Sequence, residues 1–249
     1  MPSFHTVSLD LRPMENIYEQ GQVLLIDKPF KWTSFDVVRK IRNLIKIKKV
    51  GHAGTLDPLA TGLLIVCTGK FTKRINEFMA QEKEYTGTIT LGAVTPTYDL
   101  ESEPTDLKPF LHINQEQINE AAKSLTGQIM QIPPIHSAIK KDGKRVYEMA
   151  RRGQEVILDP RPVTIAEFEI VKTELPVVHF RVICSTGTYI RSLANDFGER
   201  LGCGGYLSSL CRTRIGKFLL EDAISIKNFE EKIQSEQDFP NPSSTKKDS

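Results

Sequence analysis

The sequence predicts a mixed α/β fold carried by one large domain, and three observations lead there. Short apolar or alternating runs at 23–26, 63–67, 85–91, 163–171 and 178–184 have the length and pattern of strands. Apolar residues recur at helical spacing in three other segments, around 37–45, 114–125 and 190–201. At 249 residues, with 39% hydrophobic and 26% charged content, the chain has the length and composition to bury a substantial core.

Taken in order, residues 1–20 show no periodicity and read as a flexible arm. The first strand, 23–26, is broken by Asp27-Lys28-Pro29. Thr33 or Ser34 then offers a helix N-cap for the stripe Val37, Val38, Ile41, Leu44 and Ile45. The opposite face of that helix carries Arg39, Lys40, Arg42 and Lys46, with Lys48-Lys49 following. A charged face is ordinarily only solvated. This one runs into the stretch 51–66, so phosphate contact is a second reading.

The stretch 51–66 reads Gly-His-Ala-Gly-Thr-Leu-Asp-Pro-Leu-Ala-Thr-Gly-Leu-Leu-Ile-Val. Gly51, Gly54 and Pro58 give its first half turn chemistry, with little room for a regular strand or helix. Its second half opens the apolar run of a buried strand. Asp57 sits between them, fixed by the proline that follows. A lone Asp in a loop is ordinarily a turn former or a cap.

Further on, Lys70, Lys73 and Arg74 fall on a short helical segment, and 99–106 reads as an exposed acidic loop. Asn114 and Gln117 have the spacing of a capping box, and Gly127 ends that helix. The tandem Pro133-Pro134 starts a basic excursion containing Lys140, Lys141, Lys144, Arg145, Arg151 and Arg152, within an insertion of about 128–160. The segment from Gly187 to Arg191 leads into the last periodic helix, stopped by Gly202. The domain runs to about residue 230, and 231–249 reads as a polar, disordered tail.

Composition and motifs exclude several classes. A balance of 33 basic against 31 acidic residues means that any RNA-binding face arises from local clustering. Thr68-Gly69-Lys70 is no phosphate loop, since Phe71 replaces the required hydroxyl residue and no glycine lies five residues before Gly69. The scattered His residues and four unpaired-looking cysteines give no metal-ligand spacing, and no cofactor is expected. Cysteines without a pairing pattern, no signal peptide and no apolar run near 18 residues point to a cytoplasmic protein away from membranes.

The pattern Gly-His-x-Gly-x-Leu-Asp-Pro-x-Ala-x-Gly-x-Leu, complete at 51–64, resembles the signature loop of the tRNA pseudouridine synthase B (TruB) family. Further motifs stand in the family's order, over roughly 21–217. They are the Lys28-Pro29 to Ser34 segment, Lys83-x-Tyr85 with Leu91-Gly92, the Pro-Pro-x-x-Ser-Ala-x-Lys and Gly-x-Arg-x-Tyr elements of the insertion, and the segments 187–191 and 205–216. Lys31 stands where the family has Gly, so the tight turn there is made differently, and His136 stands where Tyr is usual. The resemblance implies an α+β type pseudouridine synthase fold, with a mixed, mainly antiparallel central sheet flanked by helices and an RNA-binding insertion. It implies isomerisation of the T-loop uridine at tRNA position 55 by Asp57. Tyr85, Arg191, Tyr189, Leu210 and Lys28 would support the active site, and His52 would fill the gap left by the extruded base. The segment after Gly216 is too short for the C-terminal RNA-binding domain many members carry, and a monomer acting on tRNA is expected. The competing reading is a non-catalytic RNA-binding or tRNA-folding protein.

Overall fold

A ten-stranded sheet organises the chain in the computed structural model, which describes residues 16–135, 140–141, 144–145 and 158–238. Its strands are β1 (Val23–Lys28), β2 (Val50–Ala53), β3 (Ala60–Thr68), β4 (Lys83–Leu91), β5 (Gly127–Gln131), β8 (Arg161–Glu174), β9 (Val177–Cys184), β10 (Gly205–Ile215), β11 (Phe218–Leu219) and β12 (Ile224–Ser225). The order is β12-β1-β3-β10-β4-β9-β8-β5, with β2 beside β3 and β11 beside β10. All pairs are antiparallel except β1 with β12 and β3 with β10. A separate two-stranded ladder joins β6 (Lys140–Lys141) to β7 (Lys144–Arg145).

Burial explains why the two halves of the sheet look different in sequence. β3 is buried along most of its length because both faces are covered, which gives an unbroken apolar run. Leu64 and Val66 pack against α1 (Ile17–Gln20), α2 (Ser34–Ile45) and α6 (Ile226–Asp238). Leu63, Ile65 and Cys67 pack on the other face with Phe78 of α3 (Ile75–Met79) and Ile215. β9 instead alternates buried and half-buried residues. One of its faces meets α4 (Gln115–Ser124) and α5 (Ile190–Arg200), around Phe168, Phe180 and Phe197.

The two halves meet where β3 and β10 run parallel, with Leu210 opposite Ala60 and Arg212 opposite Gly62. Gly62 takes φ +98°, and a Cβ there would lie 2.4 Å from the Arg212 carbonyl oxygen. Only glycine allows this approach.

Several expectations need correction. Val50–Ala53 is a strand on β3, so turn chemistry begins only at Gly54. β5 belongs to the main sheet as its edge, so the insertion starts after Gln131. Residues 231–238 continue α6, whose Phe229 and Ile233 are buried, so they are not part of a loose tail. Residues 17–20 form α1, and Tyr18 fills the core beneath it. Asp99 is buried rather than exposed, whereas most of 100–106 is open. Lys31 makes the turn expected of glycine by adopting φ +66° itself. Both expected helix starts hold: Thr33 caps α2, and Asn114 and Gln117 form the capping box of α4.

Candidate active site

The loop between β2 and β3 is held by its backbone at successive points. Ser34, the first residue of α2, donates its hydroxyl to the Leu56 carbonyl (3.1 Å) and accepts from the Leu56 N–H (2.9 Å). The Lys31 N–H donates to the Pro58 carbonyl at 2.9 Å, and the Ala60 N–H to the Asp57 carbonyl at 3.1 Å. From below, Arg212 donates through Nη2 to the Gly54 carbonyl (3.1 Å) and through Nε to the Leu63 carbonyl (2.8 Å). Lys28, fully buried at 0% exposure, donates to the carbonyls of Pro29 (3.0 Å), Trp32 and Pro58 (3.3 Å). Burial pulls the Lys28 ammonium down to about 8, opposed by the nearby Asp57 charge. Buried backbone groups without partners are costly, so each anchor removes an alternative loop shape.

The Asp57 side chain meets a fork. Arg191 Nε lies 2.8 Å from Oδ2, and Nη2 donates to Oδ1 at 3.2 Å. The guanidinium side chain is 5% exposed and the carboxylate side chain 35%, so the pair is anchored from inside and open to solvent on the Asp57 side. A second carboxylate, Asp99, is buried with Oδ2 3.7 Å from Arg191 Nε, and the Thr97 carbonyl accepts from Nη1 at 3.3 Å. Dehydration pushes the Asp57 carboxyl above the usual range; Arg191 opposes this, and the Asp99 charge adds to it.

Asp57 opens on a cavity of about 380 Å³, whose lining includes Tyr85, Tyr189, Arg191, Leu210, Arg212, Lys83 and the turn 185–188. That volume suits a small ligand or one extruded nucleoside. Tyr85 is buried, and burial raises its phenol above the ordinary value. Tyr189 stands at the start of α5, and Gln131 locks its backbone. The Tyr189 N–H donates to Gln131 Oε1 (2.8 Å), and Nε2 donates back to the Tyr189 carbonyl (3.1 Å). Burial also lowers the Lys83 ammonium to about 8, where it donates to the carbonyls of Met79 and Gln81.

Of the residues expected from sequence, Asp57, Tyr85, Tyr189, Arg191 and Leu210 line this one cavity, and Lys28 sits behind it as a backbone anchor. His52 is on β2, half-buried and outside the lining. Burial, aided by Arg212, lowers its imidazole pKa and favours the neutral form. The α2 cations have internal partners: Arg39 pairs with Asp36 (2.5 Å), Lys40 pairs with Glu230 (2.6 Å), and Arg42 reaches the Val50 carbonyl (3.4 Å). Lys140, Lys141, Lys144 and Arg145 form the short ladder, while Arg151, Arg152 and His136 lie outside the described residues. Sequence reasoning missed Asp99, Arg212, Gln131 and Lys83 as parts of the site. Among the described residues, no group of His, Cys, Asp or Glu is placed to hold a metal ion, and no helix is long and apolar enough to cross a membrane.

Known proteins are similar to this chain over most of its length. The family described as TruB family pseudouridylate synthase (N terminal domain) matches residues 42–190, and the tRNA pseudouridylate synthase B C-terminal domain matches 191–242. A tRNA pseudouridine synthase B of Flavobacterium johnsoniae is 55% identical over 224 residues, covering 87% of this chain and 98% of that protein. One of Chlorobaculum tepidum is 52% identical over 213 residues, covering 84% and 89%. Among solved structures, an H/ACA RNP bound to a substrate RNA containing 2′-deoxyuridine holds a similar chain at 27% identity and TM-score 0.67. The match covers 92% of this chain but 59% of that one.

Proposed function

Because this chain belongs to the TruB family and is a tRNA pseudouridine synthase, we propose that Asp57 is its catalytic group, acting on the T-loop uridine at position 55. The reaction breaks the bond from C1′ to N1 of the base, turns the base over, and forms a bond from C1′ to C5. The C5 proton leaves and N1 regains one, so atoms balance without water or an external reagent. A single anion suits this course. C1′ becomes electron-poor as the first bond breaks, and a carboxylate beside it can stabilise it, attack it or take a neighbouring proton. A second carboxylate is not needed to activate water, because the departing base is recaptured.

The observation that carries this reading is the Arg191 fork on a carboxylate that opens on a nucleoside-sized cavity. Two unit charges about 4 Å apart attract by roughly 4 kcal/mol at an intermediate effective dielectric, before desolvation is subtracted. That attraction opposes the dehydration of Asp57, which remains the larger effect, and favours its ionised form. Tyr85 and Leu210 form the wall for the turned base, and aromatic contact returns part of the stacking lost on extrusion. Asp99 is a positioning residue, acting on Asp57 through Arg191. We also take the enzyme to act as a monomer in the cytoplasm.

Asp57→Asn keeps the shape and removes the anion. The purified variant should bind a T-loop stem-loop RNA as the wild type does and form no pseudouridine by carbodiimide mapping. Substantial product from it would overturn the assignment. The non-catalytic alternative predicts no product from the wild type either, which separates the two readings.

A further inference from the structure

Two aromatic rings stand in the open beside the catalytic loop. Phe30 is 54% exposed and Phe35 57% exposed, unusual for residues this large and apolar. They flank the turn that Lys31 makes at φ +66°, and that turn is fastened to the Asp57 loop through Lys31 to Pro58 and Ser34 to Leu56. The Lys31 ammonium lies 5.8 Å from the centre of the Phe30 ring. An open groove of about 350 Å³ adjoins the Lys31 turn, walled by Lys31, Trp32, Asp36, Arg39, Lys40 and Asn43. Its wall therefore carries three cations and one acid. Among the described residues, Lys31 is within ion-pair distance of no carboxylate, unlike Arg39 and Lys40.

We propose that Phe30, Phe35 and the Lys31 groove form a stacking subsite for an unpaired nucleotide of the tRNA substrate, next to the one delivered to Asp57. Exposed aromatic faces beside the unneutralised Lys31 suit single-stranded RNA, since every base has a face to stack and every step carries a phosphate. The hydrogen bonds to Leu56 and Pro58 tie the turn that carries the subsite to the loop that carries Asp57. A strand that places one base against Tyr85 can therefore lay a neighbour on these rings. The proposal rests on tRNA being the substrate.

Trp32 is the only tryptophan of the chain and lines the groove, so its fluorescence reports on this place alone. Titrating the full-length enzyme with a T-loop stem-loop should change Trp32 emission. Phe30→Ala/Phe35→Ala should reduce that change and raise KM by about tenfold, in keeping with the loss of base stacking, while leaving kcat near wild type. Phe30→Tyr/Phe35→Tyr should restore both readouts, which a mere folding defect would not do. Wild-type KM and an unchanged Trp32 response in the double Ala variant would overturn the proposal. So would a concentration-dependent dimer abolished by the same variant with KM unaffected, since the rings would then serve a second copy of the chain. If the wild type itself formed no pseudouridine in this RNA, the fault would lie with the tRNA substrate on which the proposal rests.

Discussion

The Asp57 loop and the outward face of α2 are neighbours in the chain, and the fold handles their charges in opposite ways. In the loop, buried cations from three elements, Lys28, Arg191 and Arg212, converge on carbonyls and on one carboxylate, and leave that carboxylate facing a cavity. On α2, Arg39 and Lys40 are turned to the acids Asp36 and Glu230 nearby. One region holds a charge in a defined place at a cavity; the other spends much of its charge on itself. A run of basic residues in a sequence is therefore weak evidence for an RNA contact until the fold shows which acids those residues meet.

The contrast can be broken at several points. The largest effect is expected from Arg191→Lys, which keeps the charge but removes the planar fork, so that Asp57 loses its fixed orientation. The single-turnover rate should fall on the order of 100-fold with little change in RNA affinity. An unchanged rate would mean that charge alone suffices. Next, Ser34→Ala leaves the Leu56 N–H and carbonyl without their partner in a buried position. Denaturant unfolding should show a loss of about 1–3 kcal/mol, and a smaller loss would mean that the loop relaxes onto other partners. The smallest effect belongs to α2. Lys40→Ala removes a half-exposed pair with Glu230 of the kind worth about 0.2–1 kcal/mol. RNA affinity should stay within about twofold, and the salt slope should change by much less than the roughly 0.7–0.9 of one lost phosphate contact. A full change in slope would show that Lys40 leaves Glu230 for the RNA.

What the sequence disclosed follows the same division. Turn residues, caps and period-2 or helical stripes are local, so Thr33, the Asn114–Gln117 box and the strand around 63–67 could be read directly. Asp57 by itself read as an ordinary turn residue, and only the complete pattern over 51–64, through its resemblance to the TruB signature loop, singled it out. Asp99 did not stand out, because Thr95, Thr97 and Asp99 turn inward at alternating positions, and polar residues at that spacing look like a solvated edge. Arg212 and Gln131 serve the site through backbone carbonyls and an amide on distant strands, a role that leaves no local mark in sequence. α6 was missed because its polar face dominates the composition, although Phe229 and Ile233 hold the helix to the core.

The central claim is that Asp57 works as an anion whose ionisation is set by Arg191 and Asp99, and the pH dependence of single-turnover pseudouridine formation tests it most directly. Burial and the Asp99 charge raise the Asp57 carboxyl above its ordinary value of about 3.9, so activity should be lost as pH falls through that raised value, earlier than for a solvated Asp. Asp99→Asn removes the like charge and leaves Arg191 to Asp57 alone, so its acid limb should move to lower pH while the wild-type limb stays high. An acid limb at the same pH in both proteins would contradict the account.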